Sequence, residues 1–179
     1  RGFARTADGE GLRIAGHASL FGVADLSRDV VEAGAFAAAL ARRGGGIRML
    51  FQHDPARPVG VWTSLREDAQ GLAVQGRLTA GASAELAALI ADGAIDGLSI
   101  GFRTVKARTD PRTRLRHIVE ADLWEISIVT FPMLPGARLA VLPPDRPLAP
   151  ATGDLARAAR QMAALISVET SIINEKDFA

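Results

Sequence analysis

The clearest alternation of apolar and polar positions runs from Ile95 to Val105, where Leu98, Ile100 and Phe102 interleave with Ser99, Gly101 and Arg103. Period two is the signature of a strand with one greasy face. The other face carries a hydroxyl, a bare backbone position and a guanidinium. Upstream, residues 11–21 read as a first strand, with Leu12, Ile14 and Gly16 alternating with Arg13, Ala15 and His17. Residues 22–34 read as a loop, followed by a short helix over Ala35–Arg43 that Gly44-Gly45-Gly46 stops. Ile47–His53 is a second strand, with Met49, Phe51 and His53 on one face, ended by Asp54-Pro55 because proline donates nothing to a ladder. Val59–Arg66 and Leu72–Thr79 form a hairpin across a turn-rich Glu67–Gly71.

Ser83–Ala91 carries Leu86, Leu89 and Ile90 at helical spacing. Lys106–Arg116 reads as a polar loop, and His117–Glu120 opens a further strand. Ala121–Phe131 is the last clear strand before Pro132; in it Glu125 shares a face with Ser127, opposite Trp124. Four prolines in Pro143–Pro150 mark a linker. Asp154–Ile166 then reads as an amphipathic helix whose stripe of Leu155, Met162 and Leu165 needs a partner surface. The division expected is 1–142 as one domain, 143–152 as linker, and 153–179 as helix and tail. Six or seven short strands with interposed helices predict an α+β fold, a compact and mostly antiparallel barrel or sandwich.

Composition narrows the function. With 179 residues and 48% apolar positions the chain can bury a real core. Its 21 basic and 20 acidic side chains leave a net charge of +1 and no electrostatic case for direct nucleic-acid binding. Zero cysteines remove disulfides, cysteine nucleophiles and thiolate zinc sites, and three scattered histidines suggest no metal. No apolar run approaches the ~20 residues that cross a bilayer, and no signal peptide opens the chain. Neither a membrane nor a cofactor is expected.

Three residues stand out for chemistry. Ser99 is either a small polar residue on a strand or, with glycines on both sides admitting a second chain, a nucleophile. His53 is either a surface histidine beside a turn or a general base, since the ordinary imidazole pKa of ~6.5 lets it take a proton at neutral pH. Glu125 lies in an otherwise apolar strand, where a carboxylate is costly unless partnered. It is either a glutamate on a solvated face or the group that orients the histidine. Gly101 and Arg103 are candidates for stabilising an oxyanion. Asp29 is a candidate for shaping a substrate groove or for capping the Ala35 helix. Ser99 lacks the Gly-x-Ser-x-Gly elbow of small-ester hydrolases.

Together these segments resemble a known family. Met49-Leu50-Phe51-Gln52-His53-Asp54, Gly97-Leu98-Ser99-Ile100-Gly101-Phe102 and Trp124-Glu125-Ile126-Ser127-Ile128-Val129-Thr130-Phe131-Pro132 are similar to motifs of the prohead (capsid maturation) serine proteases of tailed phages. So are Asp29–Phe36 and Gly16–Phe21, the latter with His17 where an aromatic is more usual. The alanine- and arginine-rich style resembles the versions found in gene transfer agents. The resemblance implies an assemblin-like fold and a serine endopeptidase with His53, Ser99 and Glu125 as its triad. His117 is the alternative third member, because assemblins use a second histidine there.

It also implies a substrate: the N-terminal scaffolding segment of the major capsid protein, cut in the cytoplasm inside the immature shell. Self-cleavage within the proline linker and a possible homodimer follow from the same resemblance. The alternative from another class is a catalytically silent scaffolding protein on the same fold.

Overall fold

The structure is a computed structural model that describes residues 11–80 and 83–143, all within the unit Arg1–Pro144. The expected tail helix, and all of the linker after Pro143, lie outside the described residues. Eight strands form one sheet: β1 (Arg13–Leu20), β2 (Asp29–Val31), β3 (Arg48–Phe51), β4 (Asp54–Glu67), β5 (Gly71–Leu78), β6 (Gly97–Thr109), β7 (Arg116–Val129) and β8 (Leu139–Val141). Two helices, α1 (Ala37–Arg43) and α2 (Ala84–Ala91), punctuate it.

β7 is the spine. β6 pairs antiparallel along its whole length, while β2 and β3 pair with it in parallel at Arg116–Ile118 and Glu125–Ile128 respectively. From β3 the sheet continues through β4, β5 and β1 to β8. The sheet curls so far that the residues before β8 return to the start of β6, where Leu98 N–H donates to Ala137 O and Gly97 bridges Arg138. Inside the curl, Leu98, Ile118, Leu123, Ile126 and Ile128 are fully buried. Each such side chain contributes about 2 kcal/mol by leaving water, which is why the two central strands hold the sheet together.

The eighth strand and the two parallel pairings depart from the sequence reading. β2 is three residues long and falls in what reads as a loop; its strand character comes only from docking on β7. In the polar stretch Lys106–Arg116 the turn spans residues 110–115, while residues 106–109 are still strand, exposed side chains notwithstanding, because the backbone pairs as far as Thr109 with Arg116. Pro55 does not end a strand. It lies in an irregular part of β4, between the pairs Phe51↔Asp54 and Leu50↔Pro58, where the ladder is already interrupted. The helix α1 starts two residues later than predicted. Its first turn is satisfied from outside, Phe36 N–H donating to Glu67 Oε1 at 2.8 Å. Arg42 and Arg43 occupy its last turn, where the helix dipole favours cations.

Candidate active site

Alternation along β3 puts His53 on the same face as Met49 and Phe51, the core face, opposite Glu125. The structure places it with Glu125 instead. β3 ends at Phe51, which pairs with Asp54, so Gln52 and His53 form a two-residue hairpin turn. Both have positive φ, 55° and 60°. That is the geometry of a type I′ turn, in which glycine or asparagine is the cheap choice. Two left-handed residues reverse the chain and swing the imidazole over the outer face of β7. A histidine in a strained position is a cost that function can explain.

On that face Glu125 and Ser127 stand two residues apart on β7, with Gly101 and Ser99 opposite them on β6. His53 Nδ1 lies 2.7 Å from Glu125 Oε1. Ser127 Oγ donates to Glu125 Oε2 at 2.6 Å and accepts from the His53 backbone N–H at 3.1 Å. A carboxylate only accepts, so Nδ1 carries a proton, and in the neutral ring Nε2 is then the acceptor. The Glu125 side chain is 14% exposed, that of His53 45%. Gly101 explains how a glutamate fits there: a Cβ at position 101 would stand 1.9 Å from Glu125 Oε1. The missing side chain of Gly101 is therefore the space the carboxylate fills.

Ser99 is 8% exposed and directly opposite Ser127. Residues so paired have Cβ atoms ~5 Å apart, which sets the hydroxyl one residue along from the Glu125–His53 pair. Among the described residues Ser99 makes no hydrogen bond to His53; nucleophile and base commonly close that contact only on a seated substrate. Beside Ser99 opens a cleft of about 270 Å3, lined among others by Ile100, Phe102, Met133, Leu134, Asp29 and Arg116. Val23, Leu26, Phe131 and Met133 are exposed apolar residues, Val23 and Met133 lining the cleft.

The other predicted residues go elsewhere. Arg103 lies on the serine face, but four residues along β6, about 13 Å away at strand rise, and it pairs with Asp122 at 3.5 Å. Asp122 also accepts from Arg42 at 2.7 Å, from Arg43, and from Trp124 Nε1 at 2.8 Å. Trp124, expected opposite Glu125, is the exposed extra residue of a bulge, since Gly101 pairs with Glu125 and Phe102 with Leu123. Asp29 does not cap α1. It is ion-paired to Arg116, and both residues line the cleft. His117 is not solvent-facing; its side chain is 19% exposed and bonds Glu32 at 2.6 Å. His17 pairs with Asp68, away from Ser99. Sequence reasoning missed Ser127, although its spacing of two from Glu125 put both on one face of a strand.

A histidine hydrogen-bonded to a carboxylate of β7, with a buried serine on the adjacent strand β6, brings together the residue types of a serine-protease triad. The chain belongs to the caudovirus prohead serine protease family, whose model matches residues 3–145. The prohead protease of Enterobacteria phage HK97 is 39% identical over 142 residues, a stretch covering 76% of this chain. The chain thus spans 63% of the HK97 protein's length. The capsid assembly protease of bacteriophage T4 shares the fold, with a TM-score of 0.57 at 17% identity over 66% of this chain and 81% of that one. The Kaposi's sarcoma herpesvirus protease is similar at a TM-score of 0.48 and 16% identity, over 75% of this chain and 66% of that one.

Proposed function

We propose that this chain is a serine endopeptidase acting inside an immature capsid, where it removes the N-terminal scaffolding segment of the major capsid protein and cuts itself. The reading rests above all on the His53–Glu125 contact of 2.7 Å, made possible by a strained turn at His53 and an empty side-chain position at Gly101. In the proposed reaction His53 Nε2 takes the Ser99 proton as Oγ attacks the scissile carbonyl. Glu125 holds Nδ1–H and stabilises the imidazolium. The imidazolium protonates the leaving amine, and water then releases the acyl-enzyme by the same steps. Backbone N–H groups beside Ser99 are assigned to the oxyanion, a contribution of roughly 3 kcal/mol per donor. Arg103, tied to Asp122, is not.

The substrate enters as an extended strand. Beyond Leu98, β6 is laddered only to β7 among the described residues, so its other edge presents unpaired backbone groups next to the cleft. Such an edge receives a peptide by strand addition, with side chains filling the cleft. Asp29 and Arg116, which line the cleft, would then meet a substrate side chain. Co-expression with the neighbouring major capsid protein, wild type beside Ser99→Ala, tests the proposal by intact mass. An N-terminal capsid segment lost only with the wild type is the expected result. Identical capsid masses would transfer the protein to a scaffolding role.

A further inference from the structure

We propose that Ser127 is a positioning residue of the active site, a fourth member that locks Glu125 and His53 into one rigid unit. The inference rests on the protease reading above for its meaning, and on geometry alone for its existence. Ser127 is wholly buried. Its Oγ uses its one proton on Glu125 Oε2 at 2.6 Å and a lone pair on the His53 backbone N–H at 3.1 Å. Glu125 Oε1 in turn holds the His53 ring at Nδ1. The three bonds form a closed circuit: histidine backbone to serine, serine to carboxylate, carboxylate to histidine ring.

Each part of that circuit answers a specific need. A two-residue turn with both φ values positive is not a conformation that glutamine and histidine choose on their own. The Ser127 hydroxyl anchors its second residue near the C-terminal end of β7. A carboxylate with only one bond rotates about its last torsion, which is broad and soft. The Ser127 proton occupies Oε2, so that Oε1 alone faces the imidazole. Other charged groups near His53 do not substitute for this. Asp54 is bound to the Ala56 N–H, Arg57 lies over the Phe51 ring, and Arg48 stands in register with Glu125 on β3 without bonding it.

The test uses the full chain and three variants. In the Ser99→Ala background, which prevents self-cleavage, proton NMR reads the exchange of the His53 Nδ1 proton with water. Adding Ser127→Ala should speed that exchange at least ~10-fold, and Ser127→Cys, a weaker donor of similar shape, should fall between. In the active protein the same two substitutions should lower kcat by roughly 10- to 100-fold in the same order, with KM within about 2-fold. A merely structural serine would change melting temperature without moving the Nδ1 proton. Unchanged exchange in folded Ser127→Ala overturns the proposal. The NMR arm needs no substrate, so it stands apart from the question of whether the chain cleaves capsid protein. Should wild type fail to cleave while the exchange result holds, the positioning role survives and the substrate assignment falls.

Discussion

β7 carries two nearly buried carboxylates on its outward side, three residues apart, and they are held in opposite ways. Asp122 is surrounded by permanent cations, Arg42 and Arg43 from α1 and Arg103 from β6, and also accepts from the neutral Trp124 N–H. Glu125 is held by a histidine ring and a serine hydroxyl. Arg43 first, and then the Trp124 N–H, hold the Asp122 carboxyl far below the ordinary carboxylate range. Its partners keep their charge across the working pH range, so the contacts of Asp122 fasten α1 to the sheet. The partners of Glu125 are ones that exchange protons. In the proposed reaction its negative charge is matched in full when His53 becomes an imidazolium. One strand thus holds a carboxylate among fixed cations and another beside an ionisable ring, and the proposed reaction uses the second.

The sharpest way to break this comparison is to neutralise each carboxylate in turn. Glu125→Gln should lower kcat for capsid cleavage by ~10²–10⁴-fold, since an amide can present the wrong partner to Nδ1 and gains nothing from the imidazolium. Asp122→Asn should leave cleavage within about 3-fold at 25 °C while lowering the melting temperature by several degrees. Equal kinetic losses in the two variants, measured on the same capsid substrate, would erase the distinction.

Gly101→Ala attacks Glu125 from across the ladder. The added Cβ meets Oε1 at 1.9 Å and the carboxylate carbon at 2.7 Å, and neither can stay. The carboxylate must leave the imidazole, so a loss of ~10²-fold in kcat is expected with the cooperative unfolding transition retained. A fully active Gly101→Ala would mean that the His53–Glu125 contact is dispensable.

Acid sharpens the same contrast through stability. A carboxyl whose folded pKa is depressed contributes stability above its ordinary pKa, and loses it as pH falls through the folded value. Asp122 is in that class. So is Asp68, lowered to about 2 chiefly by the Gln70 N–H and then by His17. The melting temperature should therefore be flat from pH 7 to about 5 and fall below about pH 4, where these groups protonate in the unfolded chain's favour. In Asp122→Asn that acid drop should be shallower, because the contribution lost in acid is already missing.

Much of this was legible in the pattern of residues, and the illegible parts have physical causes. The serine strand, the first strand and the hairpin follow from alternation, because each has one face in the core. The short strands β2 and β8 carry no period of their own; three residues acquire strand geometry only by pairing with partners far along the chain. The positions of His53 and Trp124 depart from alternation for a common reason. Alternation assumes an unbroken strand, and a type I′ turn displaces one while a bulge displaces the other. Both irregularities sit beside the candidate site, where local rules give way to a required geometry. The cluster around Asp122 joins residues 42, 43, 103 and 122, and no local pattern announces a contact among elements that only the folded sheet brings together.

Arg103 offers the finest probe of the comparison, because it stands on the serine strand yet is tied to Asp122. As an oxyanion donor it would contribute roughly 10²-fold or more in kcat, and Arg103→Ala would cost that amount. As the outermost partner of Asp122, 71% exposed and 3.5 Å away, it contributes little to either rate or stability. Arg103→Ala should then cleave capsid protein within about 3-fold of wild type, with KM rather than kcat carrying any change. His117→Phe, which cuts the Glu32 contact at 2.6 Å, should be equally mild in kcat. A loss of ~10²-fold in the first variant would return Arg103 to the oxyanion. The same loss in the second would make His117, not Glu125, the partner of His53. Parallel single-turnover assays of the two variants separate these outcomes, since each moves the chemical step only if its residue acts on Ser99 or His53.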